Sequence, residues 1–575
     1  MDLFRDLTKP RERPTVILFA RGEVSLTTLH LEAEDIPFAH LELDYFGQQE
    51  AVLFIERKLA SLFADQYPNS ADAPYRRNPE PFAKACEKVF SLISQCLGKN
   101  TEDPWSDSEA RRFLGYAPVL EAVSSFLVTE NYHILKKELE DRFGSIAADE
   151  GTSIWLLLTT IIDDLLNREQ RKAVEQLEEK FGTLRGVEWI DFFTPEEQLL
   201  RIARKVLKYS FNLSALGSVP VSHRTGVERT LDGWFTRHPF LDEDTIKFSN
   251  KVFEEYFQAK MITEGPEDER KKVRQRLASD DYLPNHLFGH FLMLFSESAG
   301  KSVIPAEDIG HLYDSIAAQE NKETEIGLEI IENEDGEGNY AEGTITVISS
   351  ANNRQEYDFR IDIAQGAITF SRRLGNARIA VRGGIALGEN EKSFRVGPFV
   401  EIECSEIAFL CDELIVLTDT KEDQEGDVII LVQKCKHPEN LRLRKFGDGQ
   451  LGIWWNGEIS YPWSGYELEV NAASEVESEI DEAFRQMCKI LRVFASRKYG
   501  TLSKYKKHIW KIVRSSQVGK RVLQRMVNEG ILRKDASHYH LNADKFATFG
   551  LDRNRIKSRR ITPEVKKFLK DCLGN

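Results

Sequence analysis

Two hydrophobic periodicities divide the chain. Up to about residue 320 the apolar positions recur at helical spacing, as in Gln48 to Leu62 and around Phe82 to Leu97, and then almost without interruption from Ser108. Breaks fall at Gly182 to Gly186, Gly217 to Pro220 and Gly265-Pro266. Before this region, Val16 to Phe19 is a continuous apolar run of the kind buried on both faces of a parallel sheet, and Ala39 to Leu43 reads as a second short strand. From Glu323 the pattern turns to period two. After an acidic, Gly-spaced stretch to Glu342, strands are predicted at Thr344–Ile348, Glu356–Ile363, Ala367–Phe370, Ile379–Val381, Phe394–Ile402, Glu413–Thr418 and Val428–Val432. The short apolar runs in Val400 to Thr418 suit stacked β-coils, and a sandwich is equally allowed. An aromatic group, Trp454, Trp455 and Trp463, closes this region.

Helical spacing returns at Glu475 to Arg497. Beyond it the order helix His508–Ser515, helix Val518–Glu529, Gly530 as a cap, then strands Ile531–Arg533 and Tyr539–Leu541 suits a winged helix. The expected organisation is multidomain α+β. It comprises a remnant of an α/β core (1–63), a connecting segment (64–107), a helical lid (108–194), a winged-helix-like and helical region (195–322), an all-β domain (323–471) and a C-terminal helical/winged-helix module (472–575). For 575 residues, several domains are expected.

Composition narrows the class. With 41% hydrophobic and 30% charged residues, the chain reads as an ordinary globular protein. The run Thr152 to Ile162 is too short to span a bilayer, and MDLFRDLTKPRERP has no apolar signal core, so a cytoplasmic protein without a membrane partner is expected. Seven scattered cysteines make no disulfide framework, and Cys404, Cys411, Cys435 and His437 lack paired zinc-ligand spacing. Net charge is −16, yet Arg497 to Asn575 holds 21 Lys+Arg against 6 Asp+Glu, a surplus of +15 that leaves −31 on the rest. The tail is a basic module on an acidic body.

Four segments, in order, carry a resemblance: Pro14 to Arg21 (PTVILFAR), Phe38 to Ile55, Gly115 to Ala122 (GYAPVLEA) and Phe248 to Ala259 (FSNKVFEEYFQA). Together they resemble the second half of a NACHT-type STAND NTPase, over about residues 10 to 262. The phosphate-binding motif Gly-x-x-x-x-Gly-Lys-Ser/Thr is missing; its nearest approach, Gly300-Lys301-Ser302, has Phe295 where the first glycine belongs. The resemblance implies a nucleotide-dependent switch in which Arg21 would read the γ-phosphate, Pro118 would pack on adenine, and Asn250 would replace the family's nucleotide-touching histidine. It also implies a regulatory part without ATPase activity, binding ATP or ADP only when a P-loop-bearing segment or polypeptide completes the site. The strand Val16 to Phe19 would then have an open edge, favouring association with such a partner or a second copy.

No catalytic or metal-binding constellation stands out. Asp163-Asp164, Asp242-Glu243-Asp244 and Asp280-Asp281 read as helix ends and turns. His286 and His290 share a helical face, but Leu287 stands where a zinc protease has Glu. The basic tail carries the chemistry. Lys504, Lys506, Lys507, Lys511, Arg514, Lys520, Arg521 and Arg525 lie on the winged-helix candidate, with Arg559 and Arg560 beyond it. Cations in this density either contact DNA or RNA through phosphate or dock on the acidic body. Three functions remain open: the sensor part of a STAND switch in antiphage defence or signalling, a non-enzymatic nucleic-acid-binding regulator, or a truncated product.

Overall fold

The computed structural model describes residues 45–97, 105, 108–129, 131–135, 137, 152–208, 214–235, 238–242, 247–279, 282–298, 301–320, 324–332, 340–349, 354–364, 366–389, 392–418, 426–468, 475–495, 503–514, 516–542, 545 and 563–574. The expected strands at 16–19 and 39–43 lie outside these. The chain divides into two compact units, 1–257 and 258–575. The described residues are mixed α+β, as the periodicities imply.

In the first unit, helix α1 (Gln48–Leu62) buries Ala51, Ile55 and Leu59, one stripe at i, i+4, i+8. Helix α2 (Pro79–Cys96) and the short α3 (Ser108–Leu114) follow, and α4 (Ala117–Phe126) packs on α1. The 30-residue α5 (Thr152–Phe181) is the backbone of the unit; α2, α4, α6 (Pro195–Val206) and α7 (Val221–Phe235) all pack on it. Thr194 caps α6, its hydroxyl accepting from Glu197 N at 3.2 Å, and Pro195 sets the first turn. Arg201, almost wholly buried on α6, donates to Glu197 at 2.8 Å and to Glu228 and Asp232 of α7 at 3.0 and 3.2 Å. These ion pairs hold α7 against α6.

The second unit takes in the rest of α8 (Lys251–Glu264), then α9 (Glu267–Ala278) and α10 (His286–Phe295). Its sheet begins earlier than the expected boundary at 323. After a short β1 (Glu297–Ser298), β2 (Lys301–Pro305) pairs in parallel with β5 (Arg354–Asp362), and α11 (Ile309–Ala317) packs beside β3 (Thr324–Glu332). The stretch read as acidic and Gly-spaced, ahead of the first expected strand, holds β3. Ile326, Leu328 and Ile330 alternate inward while Glu325 and Glu329 face out, so charge masks a buried face. With β4 (Tyr340–Ser349), β3 and β5 form an antiparallel meander.

Beyond β5 the described pairing is wholly parallel up to β15, which decides for stacked coils over a sandwich. Strands β6 (Ile368–Phe370), β7 (Arg373–Leu374) and β8 (Ala377–Ala380) make one coil, and β9 (Gly384–Leu387), β10 (Ser393–Val396) and the first half of β11 (Val400–Phe409) make the next. The second half of β11 continues with β12 (Glu413–Leu417) and β13 (Val428–Lys436), and β14 (Arg442–Phe446) and β15 (Leu451–Trp454) end the stack. Each coil visits three ladders in turn. Thus β6 pairs β9, which pairs residues 406–409; β7, β10, β12 and β14 form a second ladder; β8, residues 400–403, β13 and β15 form the third. The expected single strand Phe394–Ile402 is therefore two, turned at Gly397. That residue has φ +96°, and a Cβ there would sit 2.0 Å from Leu417 O, so only glycine fits.

Register stacks like on like. Ile330, Ile379, Ile402, Ile430 and Ile453 are successive partners across five strands, and each is fully buried. Trp463, also buried, packs on Phe409 at 4.8 Å beside the last coils.

The C-terminal residues form a helical module with a short antiparallel sheet. Helix α12 (Glu475–Ala495), β16 (Ser503–Tyr505), α13 (Lys506–Val513), α14 (Gln517–Asn528), β17 (Leu532–Lys534) and β18 (His538–Leu541) occur in that order, with an antiparallel sheet β16-β18-β17. A last helix, α15 (Pro563–Leu573), packs on α12 and α14. One core, including Phe484, Leu491, Ile509, Val522, Met526 and Phe568, joins these elements. In the region 195–322, expected to be winged-helix-like and helical, the described residues hold α6 to α11, one isolated antiparallel bridge, Leu241 to Phe248, and the antiparallel pair β1-β2. No described helix is long and apolar enough to cross a membrane.

Candidate nucleic-acid interface

Helix α14 is capped by Ser516, whose Oγ accepts from Gly519 N at 2.9 Å, and it ends at Gly530 with φ +71°. Val522, Leu523 and Met526 bury one face; Gln517, Arg521, Gln524 and Asn528 are exposed on the other. Lys520 lies beside them, its Nζ 5.8 Å from the ring centroid of Trp510, which is 53% exposed on α13. The wing follows with Arg533, Lys534, Asp535, Ala536 and Ser537 all exposed. Asp535 holds this turn: its carboxylate accepts from Ser537 N at 2.8 Å, His538 N at 2.7 Å and His540 Nε2 at 2.5 Å. The His540 bond, then those two backbone N–H groups, hold its pKa well below the usual carboxylate range. Lys506 donates to Ala536 O at 2.9 Å and ties the start of α13 to the wing.

The basic residues expected at the interface therefore separate by role. Lys520 and Arg521 sit on the open face of α14. Arg525 turns away, pairing with Glu529 at 3.0 Å and approaching Asp571 of α15 at 3.9 Å. Arg514 faces Glu342 of β4 at 3.6 Å, and Ile331 of β3 packs against the module's core. Arg514 thus faces β4, while Arg521 on α14 is exposed. Lys504 lies on β16 and Lys507 and Lys511 on α13, but their side chains are outside the described ones, as are Arg559 and Arg560 entirely. Sequence reasoning missed Trp510, Arg533 and Lys534. A tryptophan on the polar side of a helix otherwise buried through Ile509 and Val513 was the available signal for the first.

No protein-family model matches this chain, and no curated protein or solved structure does. Residue roles therefore rest on geometry.

Of the positions implied in nucleotide sensing, Arg21 lies outside the described residues. Pro118 is the second residue of α4. Asn250 caps α8, its Oδ1 accepting from Val252 N at 2.8 Å. The two segments do come together. Tyr116 donates to Pro239 O at 3.3 Å and its ring meets Phe253 at 6.4 Å, while Phe113 meets Phe253 at 5.6 Å and Phe240 stacks on it at 4.4 Å. Phe46 N donates to Gly115 O at 3.1 Å, and a Cβ on Gly115 would meet Phe46 O at 2.4 Å. Glycine is required by that approach.

Among the described residues no group of three His, Cys, Asp or Glu could hold a metal ion. Burial, with His286 nearby, keeps the His290 pKa well below its ordinary value. Burial also pushes the Cys404 and Cys435 thiols up to about 12 and that of Cys411 to about 11. Thiols held protonated are poor nucleophiles and poor ligands.

Proposed function

We propose that this chain is a non-enzymatic regulator that contacts nucleic acid through its C-terminal winged helix, within the regulatory or sensor part of a STAND-type switch. The observation that carries the reading is the exposed Trp510 with Lys520 5.8 Å from its ring and the exposed Arg521 next to Lys520 on α14, followed in the chain by exposed Arg533 and Lys534 of β17. Lysine and arginine there would release counterions from phosphate, and the glutamine and asparagine side chains of α14 suit base edges in a major groove. The full chain is expected to bind a 25-base-pair duplex, followed by fluorescence anisotropy, with affinity falling steeply as salt rises. Replacing Lys520 and Arg521 by Ala should lower the slope of log K against log salt by about 1.8, or roughly 0.9 for each phosphate left without its cation. No binding at low salt, or an unchanged slope in the variant, would remove the reading.

The switch assignment rests on the resemblance, supported by the contact between the Gly115–Pro118 turn and the Phe253 helix. It places the protein among systems acting in antiphage defence or signalling. ATP hydrolysis by the chain alone is not expected, since phosphate affinity in such folds comes mainly from the P-loop backbone and its lysine. Phosphate release from ATP that Arg21→Ala abolishes would contradict this.

A further inference from the structure

The outward faces of the coil stack differ in charge. On the ladder that continues from β3 through β8 and β11, the outward positions include Glu329, Glu401 and Glu403, and Arg378 among them pairs with Glu329 at 3.2 Å. On the ladder β7-β10-β12-β14 they include Arg373, Arg395, Arg442 and Arg444. Register aligns Arg373, Arg395, Ile415 and Arg444 in one row across four strands, with Ser393, Glu413 and Arg442 in the row beside it. Three interstrand spacings make the first row roughly 14 Å long. That is close to four base steps of duplex rise at about 3.4 Å each.

Edge strands often carry charge to discourage pairing with another chain, which accounts for Arg442 and Arg444 on the edge strand β14. It does not account for Arg395 on the inner strand β10. Arg444 is held by Glu413 at 2.8 Å, and Arg373 donates to Ala317 O at 2.8 Å and faces Glu320 at 3.5 Å. The side chains of Arg395 and Arg442 are exposed and make no hydrogen bond or ion pair among the described residues. Two unpaired guanidinium groups at fixed registers on a rigid parallel sheet are aimed at solvent, on a body that is otherwise strongly acidic.

We propose that this arginine face is a second nucleic-acid contact, binding the phosphate backbone of a duplex, with Arg395 and Arg442 as its anchors. The choice of nucleic acid rests on the winged-helix reading above; the existence of an anion-binding face does not. Guanidinium groups bind phosphate through planar paired hydrogen bonds, and Ser393 adds a neutral donor.

The test measures anisotropy of the same 25-base-pair duplex with the full chain across a salt series. Arg395→Ala with Arg442→Ala should flatten the log–log slope by about 1.8, and the Lys pair at these positions should restore most of it. An unchanged thermal transition in both pairs assigns the loss to charge and not to damage of the sheet. A wild-type slope in the Arg395/Arg442 double-alanine protein overturns the proposal. If Lys520→Ala with Arg521→Ala flattens the slope and the Arg395/Arg442 pair does not, the winged-helix reading stands and this inference alone falls. If only the Arg395/Arg442 pair matters, the coil face is the nucleic-acid site and the winged-helix reading falls. No duplex binding by the full chain overturns both.

Discussion

Arg201→Ala is expected to destabilise the packing of α6 on α7 by about 3–5 kcal/mol, the range for removing one partner of a buried ion pair. The guanidinium satisfies Glu197, itself buried, together with Glu228 and Asp232. Without it the Glu197 carboxylate is deprived of its compensating charge in a site that water reaches poorly. The remaining acceptance from Phe193 N at 2.7 Å does not neutralise it. Hydrogen exchange followed by mass spectrometry should show faster exchange across 195–235. Combining Arg201→Met with Glu197→Gln should recover much of the stability, because no charge is then left buried alone. Protection in Arg201→Ala equal to wild type would mean that the two acids of α7 and solvent suffice to hold these helices.

Ile402→Ala is the second large effect, expected at about 2–5 kcal/mol. Ile402 is enclosed above and below by Ile379 and Ile430 in the inward stack, and neighbouring coils are tied by continuous ladders that cannot collapse to fill a void. Glu401→Ala, one residue away and facing outward, should change stability by no more than about 0.5 kcal/mol. Thermal unfolding of the full chain, with exchange mapped over 366–454, separates the two. Equal destabilisation by both substitutions would show that the strand is not held by its inward face.

The C-terminal helix–strand order was legible because each of its signals is local. Apolar spacing in α14, the Ser516 cap, Gly530 and the short strands around the wing all lie within about 30 residues of one another. The site on it was only partly legible, since composition counts arginines without saying where they point. Arg514 and Arg525 look like Lys520 and Arg521 in sequence, yet Glu342 faces the first, and Glu529 with Asp571 the second. Glu529 is a local i, i+4 partner, but Glu342 and Asp571 come from β4 and α15, and their approach is set by packing.

The order of helices, the period-two alternation after residue 323 and the basic charge of the C-terminal module were determined by the sequence itself, because periodicity and charge are properties of neighbouring residues. Alternation states which side chains of β11 turn inward but not which strands flank it. Only the tertiary structure decided that β11 and β13 each serve two ladders, that β3 joins them, and that Arg373, Arg395 and Arg444 fall in one row. The physical reason is that register between coils is selected by the stacking of buried side chains distant in sequence. Ile330, Ile379, Ile402, Ile430 and Ile453 meet only when every intervening turn has the right length.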